Sequence, residues 1–386
     1  MEALTVNSPR RTRVLTIAHR FCLGFGGIPE SVLLLARELE KLGVQLDVLS
    51  KDGLVEAAGR LDRLPAQSAA KSGPAFGNLE GLDLGGYACV FIAGAWNPTG
   101  WWVAARARRM GVRLVYTPKG NLARAEFKRP RDIKKFPYLA SIEFSLLAMS
   151  ERIIFSSELE AQSSLLASLF QNKSIILPEP FFGPALAEPQ ARRPGPIRFG
   201  FMAEIAPRKG LAELVTAFVA WQAKDGAPPA ELHIAGAPRP GSERYRDKVA
   251  NVAAAAQGRV FFRGALRGTD REHFYEDIDY FVCPTRFESF GLTPLEALWH
   301  GKPVMVTNKL GALEFISDRR CIINLGDGNK TDILTAFAVA VKDWTDLSAA
   351  ANQWRMRPVT IITNDHLARE FARELGVGPT MWTGGS

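Results

Sequence analysis

The chain has 386 residues, of which 47% are hydrophobic and 23% are charged, and its formal net charge is +8. A chain of this length is too long for one ordinary hydrophobic core, so two domains are predicted. The composition excludes a disordered or fibrous chain. The four cysteines (Cys22, Cys89, Cys283 and Cys321) are far apart and show no Cys-x2-Cys pattern. Their spacing argues against a disulfide framework and a zinc site, and favours a reducing cytoplasm.

The apolar run near the N-terminus is too short for a signal peptide or a membrane span, so it predicts a first strand from Val14 to Ala18. Strand-like runs then alternate with helix-period segments, of which Ser31–Leu42 and Gly100–Met110 are the clearest. This alternation predicts βαβ units and a parallel sheet. The later strand-like runs of this half are VQLDVLS, ACVFIAG, VRLVYTP and RIIFSS.

A second alternating series follows a proline-rich stretch and predicts a second doubly wound sheet. Its predicted helices are Leu211–Lys224, one near Arg271–Glu276, one over residues 331–343 and Asn364–Leu375. We therefore predict an α/β protein with an N-terminal domain at 1–185, a linker at 186–196, a second domain at 197–362 and a terminal helical segment at 363–386.

Two carboxylates, Glu288 and Glu296, lie eight positions apart around a Phe-Gly-Leu turn. A carboxylate accepts paired hydrogen bonds from neighbouring sugar hydroxyls, and the N–H groups at a helix start bind phosphate. Glu288 follows the predicted strand DYFVCP, so we expect it at the carboxyl edge of the second sheet, where open α/β sheets bind ligands.

The motifs of the second half resemble, in their order, those of the retaining glycosyltransferases of family 4, which have the GT-B fold and an E-x7-E signature. The resemblance covers roughly residues 197–316 and includes Lys209-Gly210, a strand ending at Gly236, a strand ending at Gly264, and the segment from Glu288 to Val306. It implies two Rossmann-like domains facing a central cleft, with the last helix returning to the N-terminal domain.

The resemblance also implies a role for each matching residue. Glu288 would contact the hydroxyls of the transferred sugar, Glu296 would accept the ribose hydroxyls, and Lys209 with Arg208 would neutralise the departing diphosphate. The other donor-binding positions would be Phe290, Gly291, Leu292 and Thr293 around the helix start, and Gly26 and Gly27 in the N-terminal half.

One position departs from the family pattern. Where the family usually has an arginine five residues before the lysine, this chain has Glu204. Either Arg208 supplies the second positive charge, or the diphosphate is bound more weakly; the sequence leaves both open.

The N-terminal half matches the family more loosely. The segment around Gly26-Gly27 resembles the family's Gly-Gly loop, whereas a dinucleotide fingerprint lacks its third glycine because position 29 is proline. The segment from Tyr116 through Lys135 resembles a subgroup that builds surface polysaccharides. The histidine common in this cleft is absent, and His19, at the end of the first strand, could take its place, although a hydrogen-bonded structural role is the more usual one for a lone histidine. His19 and Lys119 are the candidate acceptor residues.

The predicted function is a hexosyltransferase that moves sugar from a UDP- or GDP-sugar to a glycan or polyprenyl-diphosphate-linked acceptor. No cofactor is expected, and no metal, since no Asp-x-Asp motif stands at a predicted strand end. The resemblance implies front-face substitution with retention. A non-catalytic relative that binds nucleotide or glycan remains an alternative, as does an epimerase or phosphorylase of the same fold.

Positive charge is concentrated in the first half. Residues 1–195 have 25 basic and 18 acidic residues, and the segment 106–135 alone has 11 basic and 2 acidic residues. Such a segment suits the anionic inner face of the plasma membrane, so we predict a cytoplasmic and peripheral protein, although a merely solvated face is equally consistent. Nucleic acid is not an expected partner, because no aromatic-basic RNA motif accompanies the charge.

Overall fold

The computed structural model describes residues 12–19, 21, 27–51, 53–56, 58, 81–127, 130–181, 192–238, 241–356 and 364–378. These residues form two compact units. Unit 1 contains the described residues up to Ser156, then Ala161–Pro180, and the segment that begins at Asn364. Unit 2 contains Ser157–Glu160 and the described residues from Phe181 to Met356.

Unit 1 has a seven-stranded sheet with the order β3-β2-β1-β4-β5-β6-β7. Its strands are β1 Thr12–Ala18, β2 Val44–Ser50, β3 Gly53–Val55, β4 Cys89–Ala93, β5 Arg113–Thr117, β6 Arg152–Phe155 and β7 Ser174–Ile176. All neighbours pair in parallel except β2 with β3, which are antiparallel. Strand β4 is buried throughout its length and β5 is buried after Arg113, as expected where helices cover both faces of a parallel sheet.

The helices of unit 1 are α1 Gly27–Lys41, α2 Pro98–Arg109, α3 Phe136–Tyr138, α4 Phe144–Met149, α5 Glu158–Ser163, which starts in unit 2, and α12 Asn364–Leu375. The last of these packs in the core of unit 1 although it is far away in sequence. The rings of Phe371 and Phe91 meet edge to face at 6.4 Å, and Arg113 Nε donates to the carbonyl of Glu374 at 3.2 Å.

Unit 2 has a six-stranded, fully parallel sheet with the order β10-β9-β8-β11-β12-β13. The strands are β8 Ile197–Met202, β9 Ala230–Ala235, β10 Val260–Gly264, β11 Tyr280–Cys283, β12 Val304–Val306 and β13 Ile322–Asn324. The helices are α6 Leu211–Gln222, α7 Glu243–Ala253, α8 Gly268–Asp277, α9 Leu292–Trp299, α10 Lys330–Lys342 and α11 Trp344–Met356. Aromatic side chains fill its core: the ring of Phe337 lies 4.7 Å from Phe199 and 4.9 Å from Trp221.

The prediction of two α/β units with parallel sheets is therefore confirmed. Helix α12 has the predicted bounds, and α6 and α10 end within two residues of them. Helix α11 was not predicted, although its buried residues Leu347, Ala350, Ala351 and Trp354 follow the helical spacing i, i+3, i+4, i+7. Most of the proline-rich linker and residues 361–363 lie outside the described residues.

A tight turn after β8 brings two loops of unit 2 together. Gly210 has φ +72°, and a Cβ atom built on it would lie 2.0 Å from the carbonyl oxygen of Pro284, just beyond β11. Only glycine adopts this backbone conformation without strain and also leaves room for such an approach. The preceding residue, Lys209, is thereby held beside the loop that follows β11.

Within the described segments, every helix falls short of the length and apolar content that a bilayer-crossing helix needs.

We predict that Gly210→Ala lowers the free energy of unfolding by about 2–4 kcal/mol, because the new Cβ adds a backbone clash to the strain of a positive φ. Gly226→Ala is the matched control, since Gly226 has φ +76° but no atom within 4 Å of the added Cβ. It is expected to cost about 1 kcal/mol. Urea or thermal unfolding compares the two, and equal losses would show that the Pro284 contact is unimportant.

Candidate active site

Two loops at the carboxyl edge of the unit 2 sheet form the frame of the site. The backbone N–H of Arg286, in the loop after β11, donates to the carbonyl of Arg208 at 2.9 Å. Farther along the same loop, the N–H of Glu288 donates to the carbonyl of Lys309 at 2.8 Å. Glu288 is thus fixed between the turn after β8 and the loop after β12.

Two cations surround the Glu288 carboxylate. Lys209 Nζ donates a hydrogen bond to Glu288 Oε2, and Arg208 Nη1 lies 3.8 Å from the same oxygen. Arg208 also lies near Glu204, with Nη2 at 3.6 Å from Oε2. The side chain of Glu288 keeps 20% of its surface exposed, so a small ligand can still reach its oxygens.

The environment of Glu288 holds it ionised. Burial acts to raise the pKa of this carboxyl group, but the charge of Lys209, the charge of Arg208 and the Lys209 hydrogen bond together lower it below its ordinary value. An ionised carboxylate accepts hydrogen bonds and donates none, which suits it to bind hydroxyl groups. Neither a general acid nor a proton shuttle is expected at this position.

The loop continues into α9 through a glycine. Gly291 has φ +97°, and a Cβ there would lie 2.1 Å from Leu310 Cδ1. Leu292 and Thr293 begin the helix, whose first N–H groups have no acceptor within the helix and lie at the positive end of its dipole. The side chain of Phe290 is only 2% exposed and packs on Phe315 with ring centroids 5.6 Å apart, so only its backbone can face a ligand.

Glu296, on the first turns of α9, is held by two residues of α8. Arg271 Nη2 lies 2.6 Å from each carboxylate oxygen and Arg271 Nε lies 3.1 Å from Oε2, while Tyr275 Oη donates to Oε2 at 2.6 Å. Burial, followed by the charge of Glu296, raises the pKa of Tyr275 well above its usual value, so the phenol stays a donor. Oε2 therefore has three donors and Oε1 has one.

The sequence did not reveal these partners of Glu296. Arg271 and Tyr275 stand 25 and 21 positions before it, and no motif links the two helices. The only signal was a predicted helix near Arg271–Glu276, whose i, i+4 spacing places Arg271 and Tyr275 on one face.

In unit 1, Lys119 is engaged in an ion pair. Its Nζ lies 2.6 Å and 2.5 Å from the two carboxylate oxygens of Glu179 and 3.2 Å from Ser31 Oγ, which itself donates to Glu179. Lys119 follows β5 with φ +53°, and its side chain is 9% exposed. Lys119 was predicted to contact the acceptor substrate, but in the structure its positive charge is neutralised by the buried carboxylate of Glu179.

The remaining residues predicted in unit 1 occupy separate places. His19 directly follows β1, and its carbonyl accepts from the N–H of Lys51 at 3.3 Å. Gly27 is the first residue of α1, whereas Gly26 lies outside the described residues. Strand β4 separates β1 from β5, so His19 and Lys119 follow strands that are not neighbours.

The segment after β4 contains Trp96, at φ +64°. The backbone N–H of Trp96 donates to Glu143 Oε1 at 2.7 Å, and Tyr116 Oη donates to Glu143 Oε2 at 2.7 Å. Burial raises the pKa of Glu143 despite these two hydrogen bonds. A tryptophan in the left-handed region is a strained feature of the kind that accumulates at ligand sites.

We predict that Lys209→Met lowers the free energy of unfolding at pH 7 by about 1–3 kcal/mol, because Glu288 is left desolvated beside one distant cation. The pKa of Glu288 is lowered in the folded state, so the contribution of the pair is present above the ordinary carboxyl pKa and is lost as pH falls through the folded value. Unfolding curves from neutral to acidic pH should therefore converge for wild type and variant. A difference that is independent of pH would contradict the pairing.

Residues 185–358 match the family model described as glycosyl transferases group 1. The chain is 34% identical over 109 residues to the lipopolysaccharide core biosynthesis mannosyltransferase LpsB of Rhizobium meliloti, an alignment covering 28% of this chain and 30% of that protein. It is 27% identical over 152 residues to the mannosylfructose-phosphate synthase of Agrobacterium fabrum, covering 35% and 32%. The alignments thus span about a third of each relative.

Solved structures resemble the chain over nearly its whole length. Anabaena HepE in complex with UDP and glucose superposes with a TM-score of 0.69 at 14% identity, covering 95% of this chain and 99% of the other. A sucrose-phosphate synthase from Thermosynechococcus elongatus superposes with a TM-score of 0.70 at 15% identity, covering 94% and 98%. The chain therefore has the GT-B fold, and the match to the glycosyl transferases group 1 model covers somewhat less than half of it.

Proposed function

We propose that the protein is a retaining glycosyltransferase of family 4 that moves a hexose from a sugar nucleotide to a glycan or lipid-linked acceptor. The observation that carries the proposal is the Glu288 carboxylate, held ionised by Lys209 and Arg208 in the loop that leads into α9. Sugar hydroxyls need an acceptor of this kind, and a diphosphate needs cations and helix-start N–H groups within a few ångströms of it.

A sugar nucleotide fits the order of the parts along the loop and helix. The sugar would bind to Glu288, the diphosphate would bind to the N–H groups of Leu292 and Thr293, and the ribose would lie over Glu296. Because Arg271 and Tyr275 fill Oε2 of Glu296, Oε1 has the remaining acceptor capacity. The ribose would take that position, or share the carboxylate after Arg271 moves.

The transfer step then needs little covalent participation by the protein. The bond from the anomeric carbon to the phosphate oxygen breaks while the acceptor oxygen attacks from the same face, and the departing phosphate oxygen takes the acceptor proton. Lys209 and Arg208 stabilise the negative charge that grows on the leaving diphosphate. No cofactor or metal ion is part of this proposal.

The names of the curated relatives support a hexose and a surface polysaccharide. One is a mannosyltransferase of lipopolysaccharide core biosynthesis, and the other is a mannosylfructose-phosphate synthase. The UDP in the HepE complex supports a nucleoside diphosphate donor. We propose UDP- or GDP-hexose as the donor and a polyprenyl-diphosphate-linked or glycan acceptor, reached from the cytoplasmic face of an anionic membrane.

One observation favours a second candidate, a non-catalytic relative that binds nucleotide or glycan. Glu204 Oε2 lies 3.6 Å from Arg208 Nη2, so the positive charge of Arg208 is divided between two carboxylates, Glu204 and Glu288. If this pairing persists when a ligand is bound, Lys209 alone faces the diphosphate. Donor affinity of Arg208→Ala separates the cases: a loss of about tenfold or more supports Arg208 as the second cation, and an unchanged affinity removes that role.

We predict that one nucleoside diphosphate among UDP, GDP and ADP, or one of their sugar conjugates, raises the melting temperature. A ligand at about 100 times its dissociation constant stabilises the folded state by roughly 2.7 kcal/mol. Glu296→Ala should abolish the shift, whereas Glu272→Ala, an exposed change on α8, should keep it. The absence of any shift in wild type would favour the non-catalytic relative without nucleotide binding.

We also predict that Glu288→Ala and Lys209→Ala each reduce turnover by about 100-fold or more, as expected when one preorganised electrostatic contact is lost. Glu288→Gln, which keeps the shape but not the charge, should be impaired as well. Turnover is measured as release of the nucleoside diphosphate from the sugar conjugate identified by thermal shift. Near-normal turnover in both alanine variants would overturn the site assignment.

A further inference from the structure

A continuous helical segment crosses the surface of unit 1 between residues 130 and 149. It runs as a 3-10 turn at Pro130–Lys135, then α3, a π turn at Leu139–Glu143, and α4. The backbone stays in the right-handed helical region at each junction from Lys135 to Phe144. One face of the segment is buried in the core of unit 1 through Leu139, Leu146 and Leu147.

The opposite face is exposed and apolar. Ile133 is 69% exposed, Phe136 is 47% exposed and Phe144 is 41% exposed, at spacings that a helix places on one side. Exposed Ala140 and Ala148 complete this row, which we call the apolar stripe (Ile133, Phe136, Ala140, Phe144 and Ala148). Large aromatic side chains at helical spacing on an exposed face indicate an interaction surface more strongly than scattered apolar residues do.

A neighbouring turn extends the stripe on one side. The ring of Phe170 lies 5.4 Å from the ring of Phe144, and the adjacent Leu169 is 63% exposed. The other aromatic ring of the stripe, Phe136, packs on Phe127 at 5.6 Å. The apolar surface is therefore anchored to the body of unit 1 and cannot fold inward to hide itself.

The exposed charge within the stripe is basic, and the exposed acid just beyond its end, Glu151, pairs with Arg113 at 3.0 Å. Between Ile133 and Ser150 the only acidic residue is Glu143, which is fully buried. At one end of the stripe, Lys134 is exposed, and Lys135 lies with Nζ 5.2 Å from the ring centroid of Phe127 while pairing with the buried Asp132 at 3.1 Å.

The other end of the stripe is also basic. Lys173 Nζ donates to the carbonyls of Ala148 and Ser150, at 2.8 Å each, where α4 ends. Arg108, at the end of α2, is close enough for its charge to act on Lys173. An apolar row of about 20 Å or more, with cations at both ends and no exposed acid in between, is the pattern of a helix that lies in a membrane interface.

These features favour an anionic lipid surface over other occupants. A second copy of the chain would bring cations against cations at the ends of the stripe. Nucleic acid would meet the cations but would leave Ile133 and Phe144 without an apolar partner, because a phosphate backbone offers none. Lipid headgroups match the charges, and the acyl boundary matches the aliphatic and aromatic side chains.

We propose that the apolar stripe inserts into the headgroup region of a membrane that contains anionic lipid, with the flanking lysine and arginine side chains bound to lipid phosphates. This proposal adds detail to the membrane docking in the proposed function. The proposed function explains why the protein would bind a membrane, but the observations on the apolar stripe do not depend on it. It names the segment that enters the membrane, which the basic segment 106–135 alone does not.

The test is flotation of the full-length protein with vesicles of phosphatidylcholine alone and with added phosphatidylglycerol, at low and high salt. Wild type should bind the anionic vesicles, and the triple variant Ile133→Ser, Phe136→Ser, Phe144→Ser should bind them about tenfold or more weakly, since three exposed apolar side chains no longer leave water. Lys134→Gln should weaken binding by about fivefold at low salt and less at high salt.

The matched control is the triple variant Leu54→Ser, Val341→Ser, Met356→Ser, which removes three exposed apolar side chains outside the stripe. It should bind vesicles as wild type does. The stripe variant should melt at a lower temperature than wild type, because Phe136 and Phe144 lose their ring contacts. Both triple variants should keep the nucleotide-induced thermal shift, measured from each variant's own melting temperature, so a failure of docking is distinguished from a failure of the donor site.

Three results would overturn the proposal. The first is equal vesicle binding by wild type and the stripe variant, and the second is no preference for anionic over neutral vesicles. The third is the absence of vesicle binding by wild type, whether or not it then associates with nucleic acid or with a second copy.

Discussion

The ion pair between Lys209 and Glu288 is the interaction on which the candidate active site depends. It requires two loops, after β8 and β11, to approach so closely that Gly210 has no space for a Cβ atom beside Pro284. The pair then keeps Glu288 ionised in a place where burial alone would raise its pKa. A carboxylate that is both desolvated and charged can bind sugar hydroxyls more strongly than one in water.

A second set of contacts holds Glu296, eight residues after Glu288. Glu296 lies under a guanidinium and a phenol from α8, which fix the orientation of its carboxylate before any ligand arrives. The parts of the proposed donor site thus come from two loops at one sheet edge and from two helices of unit 2, and backbone hydrogen bonds between the loops hold them together. Unit 1 is built differently at its own sheet edge, where Lys119, Ser31 and Glu179 satisfy one another.

The sequence predicted the parts of the molecule that depend on local pattern. Alternating apolar runs indicated both parallel sheets, and the helix at Asn364–Leu375 was found with its bounds, because its apolar residues follow the helical period closely. The spacing of Glu288 and Glu296 indicated one loop and one helix start. These features follow from neighbours in the chain, which a sequence displays directly.

Partners distant in sequence could not be predicted in the same way. The sequence around Lys119 does not indicate that Glu179, 60 positions later, neutralises its charge. The bidentate contact of Arg271 with Glu296 depends on how α8 packs beside α9, and the apolar stripe became visible only when burial separated its exposed residues from the buried ones. The sequence shows how many basic residues a segment contains, whereas the structure also shows which side chains of that segment are exposed.

A crystal structure of the protein with its preferred nucleoside diphosphate would test the proposed donor site. We predict that the diphosphate lies at the start of α9, with Lys209 or Arg208 in contact with a phosphate oxygen and the ribose hydroxyls on Glu296. A nucleotide bound elsewhere, or bound here with Lys209 and Arg208 both turned away from the phosphates, would contradict it.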